Sequence, residues 1–318
     1  IIVEHDPQTL QIADRLFEFG PGAGSQGGKL IAEGTVAGIK KNNNSLTGLY
    51  LSGKKTIPIP KKRRKYKTTF SITNANTHNL KNVKITIPIG VLTCVTGVSG
   101  SGKSTLISMI LKESVQGHLA TRSKEDSATY LGATLSGLKQ FNKLITIDQN
   151  PIGHTIRANV STYSELLTPM RQFFSSLPEA KARGLQPKHF SMNHKKGMCK
   201  ACWGLGFKSI DLQFLSPIKV TCDTCHGNRL NPLSLSIKYL GKNLGEYLKL
   251  TVEQISQTFP PIPKLIKNLD ALRSVGLGYL TLGQEIATLS GGEAARMRLA
   301  RELSKRGTGK TLYIFDEP

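Results

Sequence analysis

Apolar positions in this chain come in short runs broken by glycine, proline and amide residues, and the period of each run predicts a mixed α/β protein. Ile1, Ile2 and Val3 read as a buried strand that opens onto the polar turn Glu4-His5-Asp6-Pro7 and a short helix. Leu16 to Phe19 and Lys29 to Glu33 read as two further strands, with the glycine-rich turn Gly20-Pro21-Gly22-Ala23-Gly24 after the first. Beyond Asn42-Asn43-Asn44 the text turns polar and extended. Ile57-Pro58-Ile59-Pro60 followed by Lys61-Lys62-Arg63-Arg64-Lys65 predicts a solvated linker, because alternating prolines deny both a helix and a central strand. A second unit begins near Thr68. Its expected strands are Ile85 to Ile87, Val91 to Thr96, Leu144 to Ile147 and Thr311 to Phe315. Its expected helices run over Lys103 to Lys112, where Leu106, Ile107 and Ile110 repeat at helical spacing, and over 251 to 275.

The first chemistry lies between a predicted strand and a predicted helix. Gly97-Val98-Ser99-Gly100-Ser101-Gly102-Lys103-Ser104-Thr105 satisfies G-x-x-x-x-G-K-[ST] in the strand-loop-helix setting that this phosphate loop needs. Gly97, Gly100, Ser101 and Gly102 let backbone N–H groups turn inward on phosphate oxygens. Lys103 reaches the outer phosphates, Ser104 offers a hydroxyl to Mg²⁺, and Thr105 opens the helix whose dipole favours an anion. The pattern calls for a nucleoside triphosphate. Asp316, at the end of the last apolar strand, is placed to hold Mg²⁺ as well, and Glu317 beside it is the candidate base for water. Gln149, just after another strand, is placed to sense the metal or the attacking water.

Leu289-Ser290-Gly291-Gly292-Glu293 precedes Ala294, Met297, Ala300 and Leu303, an apolar face at helical spacing. A serine and two glycines at a helix start form an anion-binding cap. Coming about 20 residues before the acidic strand, the run Ser290, Gly291, Gly292 and Glu293 resembles the LSGGQ-type signature of ATP-binding-cassette ATPases, which implies closure on the γ-phosphate held by a different nucleotide-binding domain.

Cys199-x2-Cys202 and Cys222-x2-Cys225 form two knuckles separated by 19 residues, a spacing at which four thiolates surround one tetrahedral Zn²⁺. Gly204, Gly206 and Gly227 suit the tight turns of such knuckles. Four protein ligands leave no open position, so the expected zinc is structural. Cys94 reads as a small core residue, and His226 as a bystander to a complete cysteine set.

Composition and charge narrow the partners. The 318 residues include 31 Gly and 15 Pro, which makes the chain rich in turns, and 43 Lys and Arg against 21 Asp and Glu leave a net charge of +22. That surplus favours a polyanion, nucleic acid above all. No apolar run reaches the ~18 residues of a membrane span, which excludes an integral helical membrane protein and predicts no membrane partner. The chain starts without Met and stops at Asp316-Glu317-Pro318, and it reads as a fragment.

A cysteine module set between the phosphate loop and the signature resembles the UvrA family, the ATPase subunit of the bacterial excinuclease. The supporting text is Cys94 to Thr105, Ile147-Asp148-Gln149-Asn150-Pro151-Ile152-Gly153, Val275-Gly276-Leu277-Gly278-Tyr279, Leu289 to Ala294, and Thr311 to Pro318. The wording departs from the family's at His154, Ile156, Lys200 and Ala295. The resemblance implies an ABC-type P-loop ATPase fold with an inserted zinc-bound helical and signature module. It divides the chain into the tail of a first ATPase domain with linker (1–60), the ATP-binding core of a second (61–150), the signature and zinc module (151–285), and the signature helix with the acidic strand (286–318). His5 becomes the switch histidine of the first domain. The implied function is ATP-dependent recognition of damaged double-stranded DNA in nucleotide excision repair, by a cytoplasmic homodimer that loads a UvrB-like helicase, with ATP, Mg²⁺ and Zn²⁺ as cofactors. The competing readings are a zinc-containing DNA-binding module with a degenerate ATP site and the ATPase of a transporter.

Overall fold

The computed structural model describes every residue except 25–26, 149–151, 153–154, 213–214, 306–308 and 317–318. Gln149, His154 and Glu317 therefore lie outside the described residues. The chain divides into two compact units, Ile1–Arg64 and Lys65–Pro318.

In the first unit, Asp6 caps the helix Pro7–Gln11 by accepting from the Thr9 N–H at 2.8 Å. Strands β1 (Leu16–Gly20) and β2 (Lys29–Gly34) pair antiparallel. Helices Val36–Lys41 and Leu46–Leu51 follow, capped by Thr35 and Ser45. The second of these helices corrects the extended reading after Asn44. Glu18 on β1 accepts from the Ser45 hydroxyl and from the Thr47 N–H at 3.0 Å, which gives a polar stretch the cap it needs to turn. Ile1 to Val3 form no strand and are exposed, since no neighbouring strand supplies a ladder to them among the described residues.

Among the described residues of the second unit, two large apolar cores stand out. In the first, β3 (Thr69–Ala75), β4 (Val83–Pro88), β5 (Ser127–Tyr130) and β6 (Ala133–Ser136) form an antiparallel sheet of order β4-β3-β6-β5. Phe70, Ile72 and Leu135 of that sheet are buried with Leu106, Ile110, Leu111 and Val115 of the helical stretch that follows the phosphate loop. At about 1.5–3 kcal/mol for each large apolar side chain removed from water, this packing is what holds the helix. The stretch opens as a wide π-type turn, Thr105–Leu111, in which the Lys112 N–H reaches back five residues to Ile107, and continues as the α-helix Lys112–Thr121.

Strands β7 (Lys143–Ile147) and β10 (Thr311–Phe315) pair in parallel, from Thr311 opposite Lys143 to Phe315 opposite Ile147. The expected strand Val91 to Thr96 is absent. Its residues are in irregular backbone, because no described strand offers them a hydrogen-bonded partner, and Cys94 is exposed instead of lying in the core. For the same reason β10 is less buried than expected: Ile314 packs inward while Tyr313 and Phe315 face out.

The other core organises residues from about 152 to 300, with Met170, Phe174, Phe190, Tyr247 and Leu272 fully or nearly fully buried. The helical text at 251 to 275 resolves into Val252–Thr258 and Pro263–Ser274. Strands β8 (Phe207–Leu212) and β9 (Leu215–Thr221) form a hairpin between the cysteine pairs. The helix Gly291–Leu303 packs Ala294, Met297 and Ala300 into this core, while Leu303, at its last turn, is exposed. Ala295 faces the other way and is buried against Ile145 and Ile147 of β7, where its small side chain allows close approach. Arg298 of the same helix pairs with the Asp148 carboxylate and donates to its carbonyl at 2.6 Å.

Candidate nucleotide and metal sites

The phosphate loop is a chain reversal in which Gly97, Gly100 and Gly102 all have positive φ. Gly102 has a second reason to be glycine. A Cβ there would lie 2.8 Å from Leu80 and 3.0 Å from the Asn79 side chain, and Asn79 is already committed to the loop through a 2.7 Å hydrogen bond to the Gly100 carbonyl. Lys103 folds back across the turn, its Nζ donating to Gly97 O at 2.7 Å and Val98 O at 2.8 Å. Ser101 and Ser104 are exposed, and the Leu106 N–H donates to Gly102 O, so the helical stretch starts directly from the loop. Beside it, His78, Ser104, Thr105, Ser108, Met109 and Glu113 line an open recess of about 490 Å³. Asn79 and His78 carry no local signal that ties them to the loop; only the fold brings them there. Asp316 is exposed, and its N–H continues the β7–β10 ladder by donating to Ile147 O at 2.9 Å.

Ser290 and Glu293 cap the signature helix reciprocally: the Glu293 N–H donates to the Ser290 hydroxyl at 3.3 Å, and the Ser290 N–H to the Glu293 carboxylate at 2.8 Å. The other carboxylate oxygen accepts from the Tyr279 hydroxyl. Burial tends to raise the Glu293 carboxyl, but the hydrogen bonds from Tyr279 and Ser290 outweigh it and hold the group below the usual carboxylate range. Its anionic cap therefore adds stability above the unfolded-state value and loses it only as the pH falls through the lower folded value. Tyr279→Phe removes one donor. It should lower stability at pH 7 by about 1 kcal/mol and bring the acid-side loss to higher pH. Thermal unfolding followed between pH 3 and 7 checks both effects.

Cys199, Cys202, Cys222 and Cys225 are buried and converge, with their Sγ atoms all within 4.8 Å of one another. Cys202 Sγ and Cys225 Sγ are 3.7 Å apart, against the ~3.8 Å edge of a tetrahedron with 2.3 Å Zn–S bonds. The donor set fits zinc. Burial pushes the Cys202 and Cys225 thiols up, while at Cys222 the N–H groups of Cys225 and Thr224 overcome burial and bring the thiol down to about 7. Four thiolates buried this close together repel one another, so a cation at the centre is what allows all four to ionise at once. Gly204 turns the first knuckle at φ +79°, and a Cβ on it would meet Met192 O at 2.0 Å, so no other residue fits. His226 is exposed and stands apart from the four sulfurs.

His5 is exposed, with its N–H donating to Glu4 at 2.7 Å. It belongs to the first unit, whereas the phosphate loop, the cysteines and the signature helix all belong to the second.

A sequence model described as ABC transporter matches residues 80–201. The chain is 48% identical over its whole length to UvrABC system protein A of Aquifex aeolicus and equally so to that of Escherichia coli K12, covering 34% of each. It superposes on UvrA2 of Deinococcus radiodurans with a TM-score of 0.89 and 40% identity, over 99% of this chain and 38% of that one. The chain thus spans about a third of the length of the relatives it matches. No described helix is long and apolar enough to cross a membrane. The ABC-type P-loop ATPase fold, the buried cysteine cluster and 48% identity along the whole of this chain all point the same way: this chain matches the UvrA family from end to end.

Proposed function

We propose that the protein binds ATP at the loop Gly97–Thr105 and uses its binding and hydrolysis to control a grip on damaged double-stranded DNA, as the ATPase of nucleotide excision repair. The observation that carries this reading is the presence, in one unit, of the phosphate loop and of four converging cysteines between it and a capped signature helix. Lys103 would exchange its two loop carbonyls for phosphate oxygens. Ser104 and Asp316 would hold Mg²⁺, which neutralises phosphate charge. Glu317 would act as base on the attacking water and Gln149 would sense it.

The reciprocal cap of Ser290 and Glu293 supports an anion-facing role for the turn at Gly291 and Gly292, closing on a nucleotide held by a different domain. His5 would serve the site of a first domain in the same way. Such sharing makes a homodimer the working form, and the family resemblance supplies a UvrB-like helicase as the partner to which the lesion is handed. Zinc, held by the four cysteines, would fix the two knuckles and the hairpin between them.

Lys195, Lys196, Lys200 and Lys208 are exposed around the first knuckle, Lys208 being paired with Asp223 at 2.9 Å. With a net charge of +22, they support a phosphate-tracking surface that ignores base sequence and reads deformation. Duplex affinity measured across a salt series, with and without a lesion and with and without ATP, tests the proposal. Wild type should show a steep salt slope and an ATP-dependent preference for the lesion. Changing all four lysines to alanine should flatten the slope by roughly 0.9 for each phosphate that is no longer neutralised. An unchanged slope puts the DNA surface elsewhere, and no lesion preference in either nucleotide state overturns the repair reading.

A further inference from the structure

Arg229 follows Cys225 by four residues and stands in the left-handed region at φ +67°. Its backbone lies against the metal cluster: it follows the second knuckle along the chain, and its carbonyl accepts from the Cys199 N–H of the first at 2.9 Å. One residue thus joins both knuckles. Its side chain leaves the cluster and crosses to another part of the unit, where Nη2 donates to the Gly283 carbonyl at 2.9 Å. A second strut reaches the same place, since Lys219 of β9 pairs with Glu285 at 2.6 Å. Gly283 to Leu289 is the loop that feeds the signature helix. Hydrogen bonds hold it from Gly283 N–H to Leu248 O at 2.7 Å, from Ile286 N–H to Ala158 O at 3.0 Å, and from Ser290 N–H to Glu293.

Both struts converge on three consecutive residues, and one of them starts from the cysteine cluster itself. A guanidinium donating to a carbonyl makes a charge-assisted bond, stronger than its neutral counterpart. Burial lowers the guanidinium's pKa and the neighbouring Glu285 raises it, and the balance marks a cation partly withdrawn from water in the service of this bond. The side chain lines an open recess of about 410 Å³ together with Gly227, Lys249, Thr281 and Gln284, among others.

We propose that Arg229 is a positioning residue that transmits the state of the zinc centre to the signature turn at Ser290. This rests on the reading of Ser290 to Glu293 as the element that closes on nucleotide. The backbone of Arg229 supports the knuckles whatever its side chain is, and the side chain acts on the loop.

The two contributions can be separated by experiment. Amide hydrogen exchange on the zinc-loaded protein, with zinc measured by elemental analysis, compares wild type, Arg229→Met and Arg229→Lys. Arg229→Met should keep one zinc per chain, leave exchange in the helix Pro263–Ser274 unchanged, and speed exchange at 283–290 by about tenfold, the scale of one missing charge-assisted bond. Arg229→Lys, which retains a cationic donor, should recover part of that protection. ATP turnover should then fall in kcat more than it changes KM in Arg229→Met. Unchanged exchange at 283–290 with zinc in place overturns the proposal, and so does loss of zinc from Arg229→Met, which would make the side chain part of the knuckle alone. Exchange is read without turnover, so an inactive wild type would count against the ATPase reading and leave this test standing.

Discussion

Lys103→Ala should weaken MgATP binding by at least tenfold while leaving the zinc content unchanged from wild type. The ammonium is the only charged side-chain group in the loop, held at its centre by Gly97 O and Val98 O at 2.7 and 2.8 Å. Replacing those carbonyls by the β- and γ-phosphates converts a neutral acceptor into an anionic one, and a hydrogen bond of that kind contributes about 1.5–3 kcal/mol. At 1.4 kcal/mol per decade this predicts roughly a 10- to 100-fold loss. The fold should survive, because Lys103 adds no apolar surface to the core formed by Leu106, Ile110 and Phe70. Titration with a fluorescent ATP analogue measures the effect. Glu317→Gln provides the contrast: binding within about twofold of wild type, with hydrolysis slowed by roughly the 10²–10⁴ typical of a missing general base. Equal ATP affinity in wild type and Lys103→Ala would remove the loop from the active site.

Cys222→Ser should lower the zinc content from one per chain to near zero and unfold the knuckles. A closed tetrathiolate site derives its folding energy from the metal, and apparent binding of structural zinc is worth ~10–16 kcal/mol. A hydroxyl in place of one thiolate removes a ligand from the centre of a cluster that has no apolar core of its own: its buried members are the four cysteines. The single tryptophan, Trp203, lies between Cys202 and Gly204 and is exposed, so its emission reports on this turn without labelling. Elemental analysis and Trp203 emission should change together. ATP binding by the same variant should be retained, because the phosphate loop is held by a separate core around Phe70 and Leu135. Full zinc content in Cys222→Ser would refute the four-cysteine assignment.

Motifs whose members lie within a few residues of each other are legible in the chain alone. The phosphate loop, the two cysteine pairs and the signature cap are each built on one turn, where spacing along the chain and separation in space are almost the same quantity. The helices at 251 to 275 and the strands Leu16–Gly20, Lys29–Gly34, Lys143–Ile147 and Thr311–Phe315 are readable for a related reason, since period reports which face is apolar.

An apolar run does not by itself make a strand. Val91 to Thr96 and Ile1 to Val3 have strand-like text, yet strands are made by partners, and neither run has one among the described residues. Cys94 follows its segment to the surface. Leu46–Leu51 departs from expectation in the opposite direction, its helix depending on Glu18, a residue 27 positions before its cap.

The sequence by itself determined the chemistry on offer: a loop able to wrap phosphates, four thiols at zinc spacing, a serine-glycine cap and a surplus of positive charge. The tertiary structure alone decided which of these groups meet and what holds them. Arg229 reaches Gly283 across 54 positions, Lys219 reaches Glu285 across 66, and Arg298 reaches Asp148 across 150. Such pairs leave no period and no motif, because the distance that governs a hydrogen bond or an ion pair is set by how the elements of the second unit pack, and chain separation carries no measure of it.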